Sequence, residues 1–158
     1  AIMPAKKLKD FLDRNRIKYV TLTHSPAYTA QGIAQSAHIS GKEMAKTVIV
    51  KVGSDLAMVV LPANQKVDVE ALRHVTGADR VSVAEERDFE RAFPGCELGA
   101  MPPFGNLWDV PVFVEETLAE NEQIVFNAGT HTELIRLDFR DFEALVKPTI
   151  ASLTFAVT

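Results

Sequence analysis

The chain has little of what would staple it or hold a metal. One of its 158 residues is a cysteine, Cys96, and four are histidines. A single thiol excludes an intramolecular disulfide and a cysteine-rich zinc site, and it points to a reducing compartment. His24, His38, His74 and His131 are widely spaced, with no H-x-x-x-H or C-x-x-C pair, so no metal site is expected. Neither G-x-x-x-x-G-K-[ST] nor G-x-G-x-x-G occurs, which argues against nucleotide hydrolysis on a phosphate loop. A G-x-S-x-G nucleophile elbow is missing too. No apolar run approaches the roughly 18–20 residues of a membrane span. Lys6, Lys7 and Lys9 interrupt the first apolar stretch, so no signal peptide is expected. The reading is a soluble, cytoplasmic protein without a membrane or cofactor partner.

What is present suits a packed core. Hydrophobic residues make up 47% of the chain and charged ones 24%, with a formal net charge of −4. The length fits one domain over residues 1–158, large enough to bury about 70% of its unfolded surface. The mild acidity argues against generic nucleic-acid binding, DNA included. The charge is uneven, however. Lys6, Lys7, Lys9, Arg14, Arg16 and Lys18 crowd the start against only Asp10 and Asp13. That face either is simply solvated or meets a short stretch of RNA.

Hydrophobic spacing sets the elements. Pro4 to Asn15 is predicted as a helix carrying Leu8, Phe11 and Leu12, with Pro4 in its first turn. Tyr19 to His24 alternates as a strand, and Thr29 is placed to cap a short helix. Lys46–Val52 and Leu56–Leu61 flank Gly53-Ser54-Asp55, a hairpin signal. Asp68 caps a helix that Gly77 stops. Ser82 with Glu85 three residues on reads as a capping box for a helix over Val83 to Phe93. Strands are predicted over Val110–Glu115, Gln123–Phe126 and Glu133–Leu137, and Asp138 caps a last helix closed by Pro148. The fold class is therefore α/β of the α+β type: a mixed, largely antiparallel sheet with flanking helices.

Three features stand out chemically. Lys46 opens an otherwise apolar strand; it is either a strand-end charge or an ammonium at a pocket mouth. The segment Glu97-Leu98-Gly99-Ala100-Met101-Pro102-Pro103-Phe104-Gly105 is a stiff loop whose backbone N–H groups can grip an oxygen. In Phe126-Asn127-Ala128-Gly129-Thr130-His131 a tight turn delivers a histidine to the next strand. Ser25 and Cys96 offer nucleophiles, but no base or orienting acid is supplied by the sequence around them.

In this order and spacing these segments resemble the YbaK/prolyl-tRNA synthetase-associated family of aminoacyl-tRNA editing domains. The resemblance runs from Thr29-Ala30-Gln31 through Ser40-Gly41-Lys42-Glu43-Met44-Ala45-Lys46-Thr47-Val48 and Gly99–Pro103 to Asn127-Ala128-Gly129-x-His131. It implies a free-standing deacylase that hydrolyses the ester of a mischarged tRNA, with the substrate's own hydroxyl assisting water. It places Lys46, Gly99 and His131 in the catalytic set. Thr29, Lys46, Gly99, Ala100, Met101, Pro102, Pro103, Asn127, Gly129 and His131 would line the substrate site. Lys46 would meet a phosphate near the terminal adenosine, and His131 would help set substrate size. The partners implied are the 3′ CCA end of an aminoacyl-tRNA and a synthetase; no metal or cofactor is implied. Thr47 stands where the alanine-clearing branch tends to carry Asn, so Ala, Ser, Thr and Cys esters all stay open. A non-catalytic module that binds a nucleotide or a synthetase through the same pocket is the alternative. On the enzyme reading, Lys46, the Gly99–Pro103 loop and His131 should rim one cleft.

Overall fold

The computed structural model describes residues 3–23 and 39–156. The expected helix after Thr29, with His24, Ser25, Gln31 and His38, lies outside the described residues.

Helix α1 spans Pro4–Arg14 and strand β1 spans Tyr19–Thr23. Proline suits the first helical position because its missing N–H would be unpaired there anyway. Leu8 and Leu12, one helical turn apart, are fully buried beneath α1. The predicted hairpin forms as β2 (Ala45–Val52) and β3 (Asp55–Pro62), turning at Gly53 with φ +64°. Strand β4 (Gln65–Val67) leads into α2 (Val69–Thr76). Asp68 caps α2 by accepting a 3.1 Å hydrogen bond from the Ala71 N–H, and Gly77 ends it in the left-handed region.

The next stretch departs from expectation. Ser82 lies inside β5 (Val81–Val83), paired with Lys51 of β2, rather than capping a helix. The helix α3 is shorter and later, Glu86–Phe89, and it starts with Asp88 accepting from the Glu85 N–H. An available sheet edge on β2 outweighed the local capping pattern.

Strands β6 (Val112–Glu115), β7 (Gln123–Asn127) and β8 (Glu133–Asp138) precede α4 (Phe139–Val146). Asp138 occupies the cap position of α4, but its carboxylate accepts from Gln123 Nε2 instead. The short strands β9 (Thr149–Ala151) and β10 (Thr154–Ala156) follow.

The sheets are mixed and largely antiparallel, as expected. One has the order β5-β2-β3-β6-β9, with parallel pairs only at β3–β6 and β6–β9. A second has the order β1-β8-β7, and β10 pairs with β4 as a separate ribbon. An isolated bridge from Met44 to Val125 joins the first two. Strand β3 is the central strand and is apolar from Leu56 onward because both its faces are covered. Met58 and Val60 enter the main core with Phe104, Phe126 and Phe142, whereas Val59 and Leu61 pack with Leu72 of α2. Among the described residues no helix is long and apolar enough to cross a membrane.

Candidate active site

The proline-rich loop is held from within the core. Phe104 is fully buried and its ring lies 5.5 Å from that of Phe126 and 5.4 Å from that of Phe142. Burying such a side chain is worth about 1.5–3 kcal/mol, which anchors the loop's exit. Ala100, Met101, Pro102 and Pro103 are buried with it, so only the tip, Glu97 to Gly99, faces outward. Of the Gly99–Pro103 stretch expected to line a pocket, Gly99 is exposed and Met101 reaches a neighbouring hollow. A hollow of about 190 Å³ beside the tip is lined by Cys96, Leu98 and Met101 with Phe89 and Phe93.

The turn after β7 is interlocked with that tip. The Glu97 N–H donates to Gly129 O at 2.8 Å, and the Gly129 N–H donates to Ala100 O at 2.9 Å. Both glycines have positive φ, +81° at Gly99 and +108° at Gly129. At Gly129 an added Cβ would stand 2.8 Å from Pro4 Cβ, so α1 wedges directly beneath the turn.

His131, 5% exposed, completes the interlock. Its Nε2 lies 2.7 Å from the carbonyl oxygen of Leu98, and its backbone N–H donates to Glu97 Oε2 at 3.3 Å. A carbonyl only accepts, so Nε2 carries the proton. The peptide unit is planar and trans, so fixing the Leu98 carbonyl toward His131 directs the Gly99 N–H the opposite way. The Leu98 and Gly99 N–H groups donate to no backbone carbonyl among the described residues. The geometry thus leaves two adjacent donors available to a carbonyl oxygen. Asn127, also buried, ends β7, and its Oδ1 has no hydrogen-bond partner among the described residues. Buried acceptors are nearly always paired, so an unpaired one marks a place for a donor.

Lys46 is elsewhere. Alternation along β2 sends Ala45 and Ile49 into the main core and puts Lys46 on the opposite face, with Val48 and Val50. It lines a hollow of about 230 Å³ with Val48, Lys66, Val67, Val83 and Phe155. Burial, and then the charge of Lys66, hold its ammonium below the ordinary lysine range. The structure therefore brings the loop and His131 together but sets Lys46 apart from them among the described residues. Thr29 lies outside those residues.

The basic face of α1 is largely engaged internally. Lys6 pairs with Asp10, Lys9 pairs with Glu133, and Lys7 lies over the Trp108 ring at 5.1 Å. That favours the solvated-surface reading of the face. Cys96 is packed against the core, and burial pushes its thiol up to about 11, so it is no thiolate near neutral pH.

A family model, "Aminoacyl-tRNA editing domain", matches residues 24–145. The chain belongs to the aminoacyl-tRNA editing domain family. The enzyme class implied by the resemblance, an aminoacyl-tRNA deacylase, is that of the family. The chain is 25% identical over 142 residues to "Prolyl-tRNA editing protein ProX" of Acetoanaerobium sticklandii, covering 86% of each. It is 27% identical over 128 residues to "Putative Cys-tRNA(Pro)/Cys-tRNA(Cys) deacylase EbsC" of Enterococcus faecalis, covering 80% of this chain and 77% of that one. The crystal structure of the hypothetical protein APE2540 superposes with a TM-score of 0.84 at 18% identity, over 94% of this chain and 99% of that one, so the two share a fold.

Proposed function

We propose that this editing domain, spanning residues 1–158, acts in the cytoplasm on tRNA charged with a small amino acid: Ala, Ser, Thr or Cys. The reaction is hydrolysis of the ester at the 3′-terminal adenosine. Water attacks the ester carbonyl, the substrate's neighbouring hydroxyl assists, and the N–H groups of Leu98 and Gly99 stabilise the developing oxyanion. An aminoacyl ester is already activated, so this chemistry needs no covalent nucleophile. A synthetase pocket discriminates by only about 1–3 kcal/mol per methylene, which is why a second hydrolytic sieve is useful. Asn127 Oδ1 accepts from the substrate's α-ammonium, Thr29 borders the substrate, and Lys46 meets a phosphate of the tRNA end. A synthetase is the second partner on this reading.

The observation that carries this reading is the hydrogen bond between His131 Nε2 and Leu98 O, which aims the Gly99 N–H. His131 is thus a positioning residue for the loop. The test is ester release from a panel of mischarged tRNAs. Wild type should release at least one small-amino-acid ester well above the rate in water. His131→Ala should lower kcat by about 10²-fold, the scale of a lost oxyanion donor. His131→Gln, whose side-chain amide can still donate to Leu98 O, should recover part of that loss. No release from any tRNA by wild type would reject the function, and full activity in His131→Ala would reject the loop mechanism.

A further inference from the structure

The hollow on the far face of the five-stranded sheet holds two cations and no acid. Lys46 comes from β2 and Lys66 from β4, and among the described residues no carboxylate lines the hollow. Neither lysine forms an ion pair among the described residues, although the chain as a whole is acidic. Lys46 is also partly desolvated, so two ammonium groups are held together against both repulsion and dehydration. An anion resolves both costs.

The remaining walls say which anion. Phe155 lies directly across the β4–β10 ribbon from Lys66. Phe155 is 52% exposed, and Val83 of β5, which also lines the hollow, is 53% exposed. An exposed aromatic ring beside paired cations is the arrangement that holds single-stranded nucleic acid: a base on the ring, a phosphate on the charges. A duplex hides its base faces, so an exposed ring beside the cations favours an unpaired strand.

We propose that Lys66 and Phe155, with Lys46, form a second RNA subsite that takes one unpaired nucleotide of the tRNA 3′ end, on the sheet face opposite the loop. This inference rests on the tRNA-deacylase reading for its ligand. Lys66 and Phe155 add affinity by gripping the phosphate and stacking the base, and they take no part in ester cleavage.

The test uses the full chain and a fluorescently labelled RNA hairpin ending in a single-stranded ACCA overhang, with a blunt hairpin as control. Lys66→Glu should weaken overhang binding at least tenfold and make the salt slope shallower by about 0.7, one single-strand phosphate contact. Phe155→Ala should weaken it about tenfold with the salt slope unchanged, as for loss of a stacked base. Lys66→Arg should bind as wild type does. The proposal is overturned if Lys66→Glu and Phe155→Ala bind the overhang like wild type. Equal losses on the blunt hairpin would overturn it too, as would competition by polyglutamate as effective as unlabelled overhang RNA. Ester release is read separately. Overhang binding that depends on Lys66 in a protein inactive on every mischarged tRNA keeps the subsite and rejects the deacylase. Ester release with overhang binding indifferent to Lys66 does the reverse.

Discussion

The loop-and-turn interlock and the two-lysine hollow are built on opposite principles. In the first, the hydrogen bonds run to or between backbone groups, two glycines hold left-handed conformations, and a buried histidine fixes one peptide plane. In the second, long flexible side chains meet at an exposed rim, held by nothing among the described residues. Rigid backbone suits a donor that must be aimed before the transition state forms. Flexible cations suit a ligand recognised by charge and by a flat face. The contrast suggests that chemistry resides in the interlock and affinity in the hollow.

The hardest way to break the interlock is through its wedge. Gly129→Ala sets a Cβ 2.8 Å from Pro4 Cβ at φ +108°, combining a clash with backbone strain. It should cost about 2–4 kcal/mol, read as a lower urea midpoint, and should abolish ester release. Gly77→Ala is the control, since φ is +72° there but the space is open. It should cost about 1–2 kcal/mol and leave ester release intact.

Acid should weaken the hollow. Glu115, 2% exposed, accepts from the Thr117 N–H at 2.8 Å, from Thr117 Oγ1 at 2.6 Å and from the Leu153 N–H at 2.8 Å. Burial alone would raise its pKa, but these hydrogen bonds outweigh burial and leave it below the ordinary glutamate value. Its stabilising contribution is then present above about pH 4.3 and lost as pH falls through the lowered folded-state value. Because Leu153 leads into β10, which carries Phe155, protonating Glu115 loosens one wall of the hollow. Glu115→Gln should cost about 1–3 kcal/mol at pH 7 and flatten the urea midpoint between pH 5 and 3.

The smallest effect belongs to Cys96. With its thiol pushed up to about 11, it should resist iodoacetamide at pH 8, and Cys96→Ser should change ester release less than twofold. Rapid alkylation would show that the loop tip opens more than its hydrogen bonds imply.

The legible parts of this fold were those in which local pattern and tertiary demand agree. The Gly53 turn, the Asp68 cap with its Gly77 stop, and the apolar run of β3 are of this kind. Ser82 misled because its spacing to Glu85 is a good helix start, yet its backbone was needed against Lys51. Strands β4, β9 and β10 escaped notice because three residues are too few to show a period. The loop and the His131 turn were visible as motifs, but their mutual hydrogen bonds, and the burial of Ala100 to Pro103, depend on Phe104 entering a distant core. Lys46 stands out as a charge in an apolar strand, and alternation with Ala45 and Ile49 sets it on the face away from the main core. Lys66 and Phe155 carried no signal: their meeting with Lys46 depends on β10 returning to pair with β4.

Pro4 and Phe155 make the two regions separately accessible to protein engineering. A bulky fusion just ahead of Pro4 would press on the turn, and trimming the chain after Leu153 would remove one wall of the hollow. Paired clones carrying one alteration or the other would therefore report on cleavage and on RNA capture as independent phenotypes.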